Sequence, residues 1–222
     1  MKDDMNDGEV PVGGAWRRLP HPAVLALIGV CVAIELALQL GDHGAFGPGR
    51  FRQVAYEYGG FWPGLLKGWT ENYPFQPWLM FVSYGFLHSG LLHLTVNMIT
   101  LFVLAEAVLD RISATKFLLL YVAATVGGGL GHALLAVSYQ PMVGASGALF
   151  GLAGAILAWE YVDRFTLRER LWPVARAVIL LLALNVVLYY AMNRSLAWQA
   201  HLGGFLTGWM AALLIDPRGR AE

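Results

Sequence analysis

A single hydroxyl, Ser146, stands between Gly144 and Gly147 in the apolar stretch PMVGASGALFGLAGAILAW, residues 141–159. A serine oxygen attacks a carbonyl only when a base takes its proton, and the negative intermediate it forms needs hydrogen-bond donors around it. The chain carries such groups in two other apolar stretches: His88, His93 and Asn97 in FLHSGLLHLTVNMITLF, and His201 in AWQAHLGGFLTGWMAALLI. Each also has a bland role. Polar side chains join helices inside a membrane, and a mid-helix serine bonds back to the carbonyl four residues earlier, here Met142. The choice depends on which elements carry these residues and at what depth.

Of the 222 residues, 57% are hydrophobic and 14% are charged, too little charge to clothe a water-facing surface. This composition predicts an all-α polytopic membrane protein. The balance of 15 basic and 15 acidic residues excludes a general nucleic-acid binder. The lone Cys31, inside an apolar run, excludes a disulfide framework or a cysteine zinc site. Six segments have the length and character of spans: 22–40, about 86–108, 117–137, 143–159, 172–192 and 197–215. They predict a domain over 22–216, with short tails at 1–21 and 217–222. The first tail has no apolar core or cleavage site and reads as a soluble tail rather than a signal peptide. The long connection 41–85 interleaves Phe61, Trp62, Trp69, Tyr73, Phe75 and Trp78 with prolines, the composition of a partly embedded interfacial loop. Basic residues gather at Arg17, Arg18, Arg111, Lys116, Arg164, Arg168 and Arg170, on the side that would also hold both termini. This predicts cytoplasmic termini and an outer first loop.

Ionisable and amide groups inside spans are costly, so each is a candidate. His93 and Asn97, four residues apart, lie about 40° apart on a helix and share a face. His88 belongs to the helix mouth or the preceding loop. Small residues recur every four positions at Gly147, Gly151 and Ala155, and again at Ala200, Gly204, Gly208 and Ala212. Two such stripes allow close backbone approach and would bring Ser146 to His201. With the topology above, Ser146, His93, Asn97 and His201 all fall near the outer ends of three spans, in one layer. Packing alone has no reason to collect a hydroxyl, two imidazoles and an amide there.

These motifs resemble those of the rhomboid intramembrane serine proteases: G-A-S-G at 144–147, the series His88, His93 and Asn97, and A-H-x-G-G-x3-G at 200–208. The resemblance spans the chain from the first span to the sixth. It implies a six-helix bundle with a water-filled cavity open to the outer face. It makes Ser146 the nucleophile and His201 the base that later protonates the leaving amine, a dyad with no acid as third member. It assigns oxyanion stabilisation to His93, Asn97 and the Ser146 N–H. It implies membrane-spanning protein substrates, a lipid environment, and no cofactor or metal. A six-span core without a seventh reads as bacterial, in the inner membrane.

Two features depart from the family pattern. Trp78 is followed by Leu79 where many relatives have a Trp-Arg pair, which leaves the anchoring of the first loop open. Ala105, Glu106 and Asp110 replace a glycine and glutamate near the inner end of span two. The rival readings are a non-catalytic rhomboid-like protein that binds membrane helices and a transporter or metal carrier using His88, His93 and His201. The latter lacks inverted repeats, mid-membrane prolines and carboxylate or thiolate company. Glu35 and Gln39 face the bundle interior or outer interface, His132 reads as a packing residue, and Asn185 reaches across the bundle or lines a path for substrate. The run DRFTLRER reads as a solvated inner loop. Without an orienting acid, packing beside the glycine stripe must hold His201.

Overall fold

The computed structural model describes residues 20–47, 49–137 and 139–215. The C-terminal tail and nearly all of the N-terminal tail, with the signal-peptide question and the basic residues there, lie outside the described residues. The described chain forms α1 (Pro22–Asp42), α2 (Phe51–Gly59), α3 (Gln76–Ser83), α4 (Leu91–Leu109), α5 (Ala114–Leu135), α6 (Ser146–Thr166), α7 (Trp172–Ala191) and α8 (Trp198–Leu214). Helix starts follow local chemistry. Pro22 opens α1 where its missing N–H costs nothing, behind His21, whose ring nitrogen accepts from the Ala23 N–H at 3.1 Å. The hydroxyl of Ser113 caps α5 by accepting from the Lys116 N–H at 3.4 Å.

Four helices, α1, α4, α5 and α7, are long and apolar enough to cross a membrane by themselves. The other two expected spans, α6 and α8, occupy the centre of a polytopic helical bundle. α8 has 17 residues, and α6 carries Glu160, Asp163 and Arg164 in its last turns. α6 is buried along most of its length, whereas α8 buries its small-residue face and leaves Leu206, Met210 and Leu213 exposed on the other. A Cβ on Gly204 would strike the Gly147 carbonyl, and one on Gly208 the Gly151 carbonyl. The two small-residue stripes therefore meet backbone to backbone, as their spacing predicts. A second seam joins α5 to α8, where a Cβ on Gly131 would meet the Gln199 carbonyl and Gly203. Around these seams Leu94 and Leu101 of α4, Phe117 and Leu120 of α5, and Leu149 and Leu152 of α6 form one buried cluster. Among apolar helices in lipid, such close packing rather than removal from water supplies the attraction.

The first connection is folded more fully than its composition suggests. Besides α2 and α3 it makes short 3₁₀ turns at Pro63–Lys67 and Tyr84–Phe86. Phe75 and Trp78 lie exposed at its rim, whereas Phe61 is a correction to the aromatic fringe: it is fully buried against Phe81, Tyr84 and His132. The connection is fastened by Arg52. Its guanidinium makes paired bonds of 2.9 and 3.0 Å to the buried Glu35 carboxylate, one of 2.6 Å to Asp42, and one of 3.0 Å to the His88 carbonyl. These carboxylates, Glu35 first, hold its proton even more firmly than an ordinary arginine does. An arginine from inside the connection thus anchors it, although the Trp-Arg pair is missing. At the other end of the bundle, the charge run at 163–170 begins within α6 and not in a free loop. Asp163 pairs with Arg111 at 3.0 Å, and Arg164 with Glu160 at 2.6 Å.

Candidate active site

Ser146 is the first residue of α6, not a mid-helix serine. The chain reaches it through an extended segment, where Phe61 and Met142 exchange backbone hydrogen bonds of 2.9 and 3.0 Å. The Gly144 N–H then donates to the Tyr84 carbonyl at 2.9 Å. Gly144 has φ +127°, a conformation open to glycine, and a Cβ there would press on the His93 ring, 2.7 Å from its Cε1. The turn at Gly144 therefore does two things: it starts the helix at Ser146 and admits the His93 imidazole beside it. At this position the backbone N–H groups of the first turn have no partner within the helix, and the positive end of the helix dipole lies at the hydroxyl.

The Ser146 oxygen lies 2.8 Å from Nε2 of His201, on the first turns of α8. It does not bond back to Met142. Ser146 is half-buried, while His201 is buried at 4% exposure. Three groups fix the imidazole. The Phe150 ring stacks on it with centroids 4.2 Å apart and planes 8° from parallel. The seam at Gly204 sets the approach of its helix. Its Nδ1 lies 2.6 Å from Oδ1 of Asn185 on α7. The expectation that packing alone holds His201 is thus incomplete. Phe150 had a signal in the sequence, four residues from Ser146 and so on the same helix face. Asn185 stood among the intramembrane polar residues, but nothing local paired it with His201.

His93 opens α4 with its ring against Gly144. Its Nδ1 accepts from the Ser89 N–H at 3.2 Å, so in the neutral ring Nε2 carries the proton and presents a donor. Asn97 lies one turn further along the same face, buried, with its amide nitrogen donating to the His93 carbonyl at 2.8 Å. Among the described residues, Asn97 makes no hydrogen bond to Ser146. The site therefore brings Ser146, His201 and the His93 ring to one place, with Asn97 behind. His88 precedes α4, as expected. Its ring lies edge-on to His93 at 5.2 Å, and its carbonyl receives Arg52 and the Tyr56 hydroxyl, so it ties the site to the loop anchor. His132 is buried against the Phe61 ring in the packing position expected of it.

The fold and this contact together define a polytopic helical membrane protein in which a serine hydroxyl rests on an imidazole nitrogen between two packed helices. The Rhomboid domain family model matches residues 75–218, well over half of the sequence. The chain belongs to the rhomboid family. It is 34% identical over 140 residues to RHOMBOID-like protein 5 of Arabidopsis thaliana, covering 62% of this chain and 44% of that protein. It is 32% identical over 126 residues to Rhomboid protease GluP of Bacillus subtilis, 57% of this chain and 24% of that one. With YdcA of the same organism it shares 28% identity over 153 residues, 69% of this chain and 75% of YdcA. The chain thus spans less than half the length of the first two relatives.

Proposed function

We propose that this protein is an intramembrane serine endopeptidase that cleaves membrane-spanning segments of other proteins. The observation that carries the reading is the 2.8 Å approach of the Ser146 hydroxyl to His201 Nε2 between two helices locked backbone to backbone. His201 takes the hydroxyl proton as Ser146 Oγ bonds to the substrate carbonyl carbon. The resulting oxyanion faces the first-turn N–H groups of α6 and the His93 Nε2–H, with Asn97 able to turn a second amide proton toward it. One such donor is worth roughly 3–4 kcal/mol. Collapse of the intermediate breaks the C–N bond, and the His201 proton goes to the leaving nitrogen. Water then attacks the acyl ester, giving its proton to His201 and releasing the acid and the free hydroxyl.

The domain at 22–216, cytoplasmic termini, an outer first loop and a bacterial inner-membrane setting complete the proposal. The names of relatives such as Rhomboid protease GluP support the class of activity. The test needs no natural substrate. Purified protein in detergent is treated with a fluorophosphonate probe, alongside Ser146→Ala and His201→Ala. Labelling of wild type, lost in both variants, is the expected result. A folded wild type that never labels, in detergent or bilayer, would replace this reading with a helix-binding protein that keeps the residues without the reaction.

A further inference from the structure

We infer that Asn185 is a positioning residue for His201: its amide oxygen keeps the ring proton on Nδ1 and leaves the Nε2 lone pair directed at Ser146. The inference rests on the protease reading and adds a third member, from a third helix, to the serine–histidine pair. Its geometric basis is the 2.6 Å separation of His201 Nδ1 and Asn185 Oδ1. The orientation of the amide is set from its other end, where Nδ2 donates to the Leu181 carbonyl at 3.0 Å. A flipped amide would bring Oδ1 against that carbonyl oxygen, two acceptors with no proton between them.

An amide oxygen only accepts, so its partner nitrogen must carry a proton. The neutral imidazole is then the Nδ1–H tautomer, and its bare Nε2 is the atom that meets the Ser146 hydroxyl at 2.8 Å. When Nε2 takes the serine proton, Nδ1 still donates to Oδ1 and nothing need move. Phe150 holds the plane of the ring, while Asn185 fixes its rotation within that plane. Geometry alone would permit a bland role, in which Asn185 merely ties α7 to the bundle. That role makes no demand on which ring nitrogen carries the proton, and this difference is measurable.

The experiment has two arms. In the first, 15N-histidine-labelled wild type is studied by NMR in micelles, and His201 is assigned among the six histidines by its absence from His201→Ala. A protonated Nδ1 and a bare Nε2 are expected. A proton resident on Nε2 in the folded wild type overturns the inference, whatever the variants do. In the second arm, fluorophosphonate labelling rates are compared. Asn185→Leu, similar in volume but without an acceptor, is expected to label about tenfold more slowly or worse, the factor carried by one hydrogen bond. Asn185→Asp, which keeps the acceptor, is expected to recover most of that loss. Wild-type labelling in folded Asn185→Leu, or no recovery in folded Asn185→Asp, reduces Asn185 to helix packing and leaves the dyad intact. A folded wild type that does not label at all defeats the protease reading, and the role of Asn185 with it.

Discussion

The α6–α8 seam and α7 hold neighbouring parts of one site by opposite means. Along the seam, Gly204 and Gly208 rest on carbonyls of Gly147 and Gly151, with no side chain between the backbones. On α7 a single residue, Val174, is buried, while Leu180, Leu182, Leu184, Val186 and Val187 are all exposed. Ser146 and His201 lie on the seam, and Asn185 lies on the thinly covered helix. Reacting groups must be held to fractions of an ångström, and backbone contact leaves little freedom. A group that only orients a ring tolerates a looser helix, because a hydrogen bond adjusts over a range of angles. The contrast shows how one bundle can hold the Ser146–His201 contact closely while leaving a neighbouring helix thinly covered.

The comparison breaks first at Gly204. Gly204→Val puts a branched side chain where even a Cβ meets the Gly147 carbonyl. The seam should part, and the protein should lose its cooperative thermal transition in detergent together with all probe labelling. A variant that melts and labels like wild type would show that the seam does not set the dyad. Next comes the loop anchor. Arg52→Met leaves the buried Glu35 carboxylate without its cationic partner and, among the described residues, with only the Gln39 amide donating to it, at 2.9 Å, which should cost roughly 3–5 kcal/mol in stability. A melting curve measures this, and a shift no larger than that of an exposed substitution would remove Arg52 as an anchor.

A smaller and more selective effect is expected at Phe150. Phe150→Leu keeps an apolar side chain but loses the ring stacked on His201. Labelling should slow several-fold with little change in melting, and an unchanged rate would leave the orientation of the imidazole to Asn185 and the seam. The smallest effect belongs to the exposed side of α7. Leu184→Ala, one residue from Asn185 but on the exposed face, should alter stability by about 0.5 kcal/mol or less. Loss of folding there would mean that α7 is held far more tightly than its exposure indicates.

Much of the site is legible in the sequence, because its signals are local. Ser146 between glycines, His93 and Asn97 at a helical spacing, and two small-residue stripes can be read within single segments. Features that depend on where an element starts are less accessible. The window 143–159 hides the fact that α6 begins at Ser146, since the extended segment before it is equally apolar and is held by bonds to distant Phe61 and Tyr84. The same holds for the loop anchor. Arg52 is an ordinary loop charge until α2 folds back onto Glu35. Phe61 looks like one more interfacial aromatic until it is seen to be buried.

By itself, the sequence determined the class of fold, the chemical groups and the two helices that had to meet, because composition and periodicity act within a few turns of chain. Tertiary structure decided the partners. Ser146 and His201 are separated by 55 residues, and Asn185 and His201 by 16. Whether such atoms come within hydrogen-bond distance depends on how their helices cross and rotate. That is set by the sum of many backbone and side-chain contacts along the glycine seams, none of which is written at the residues that finally touch.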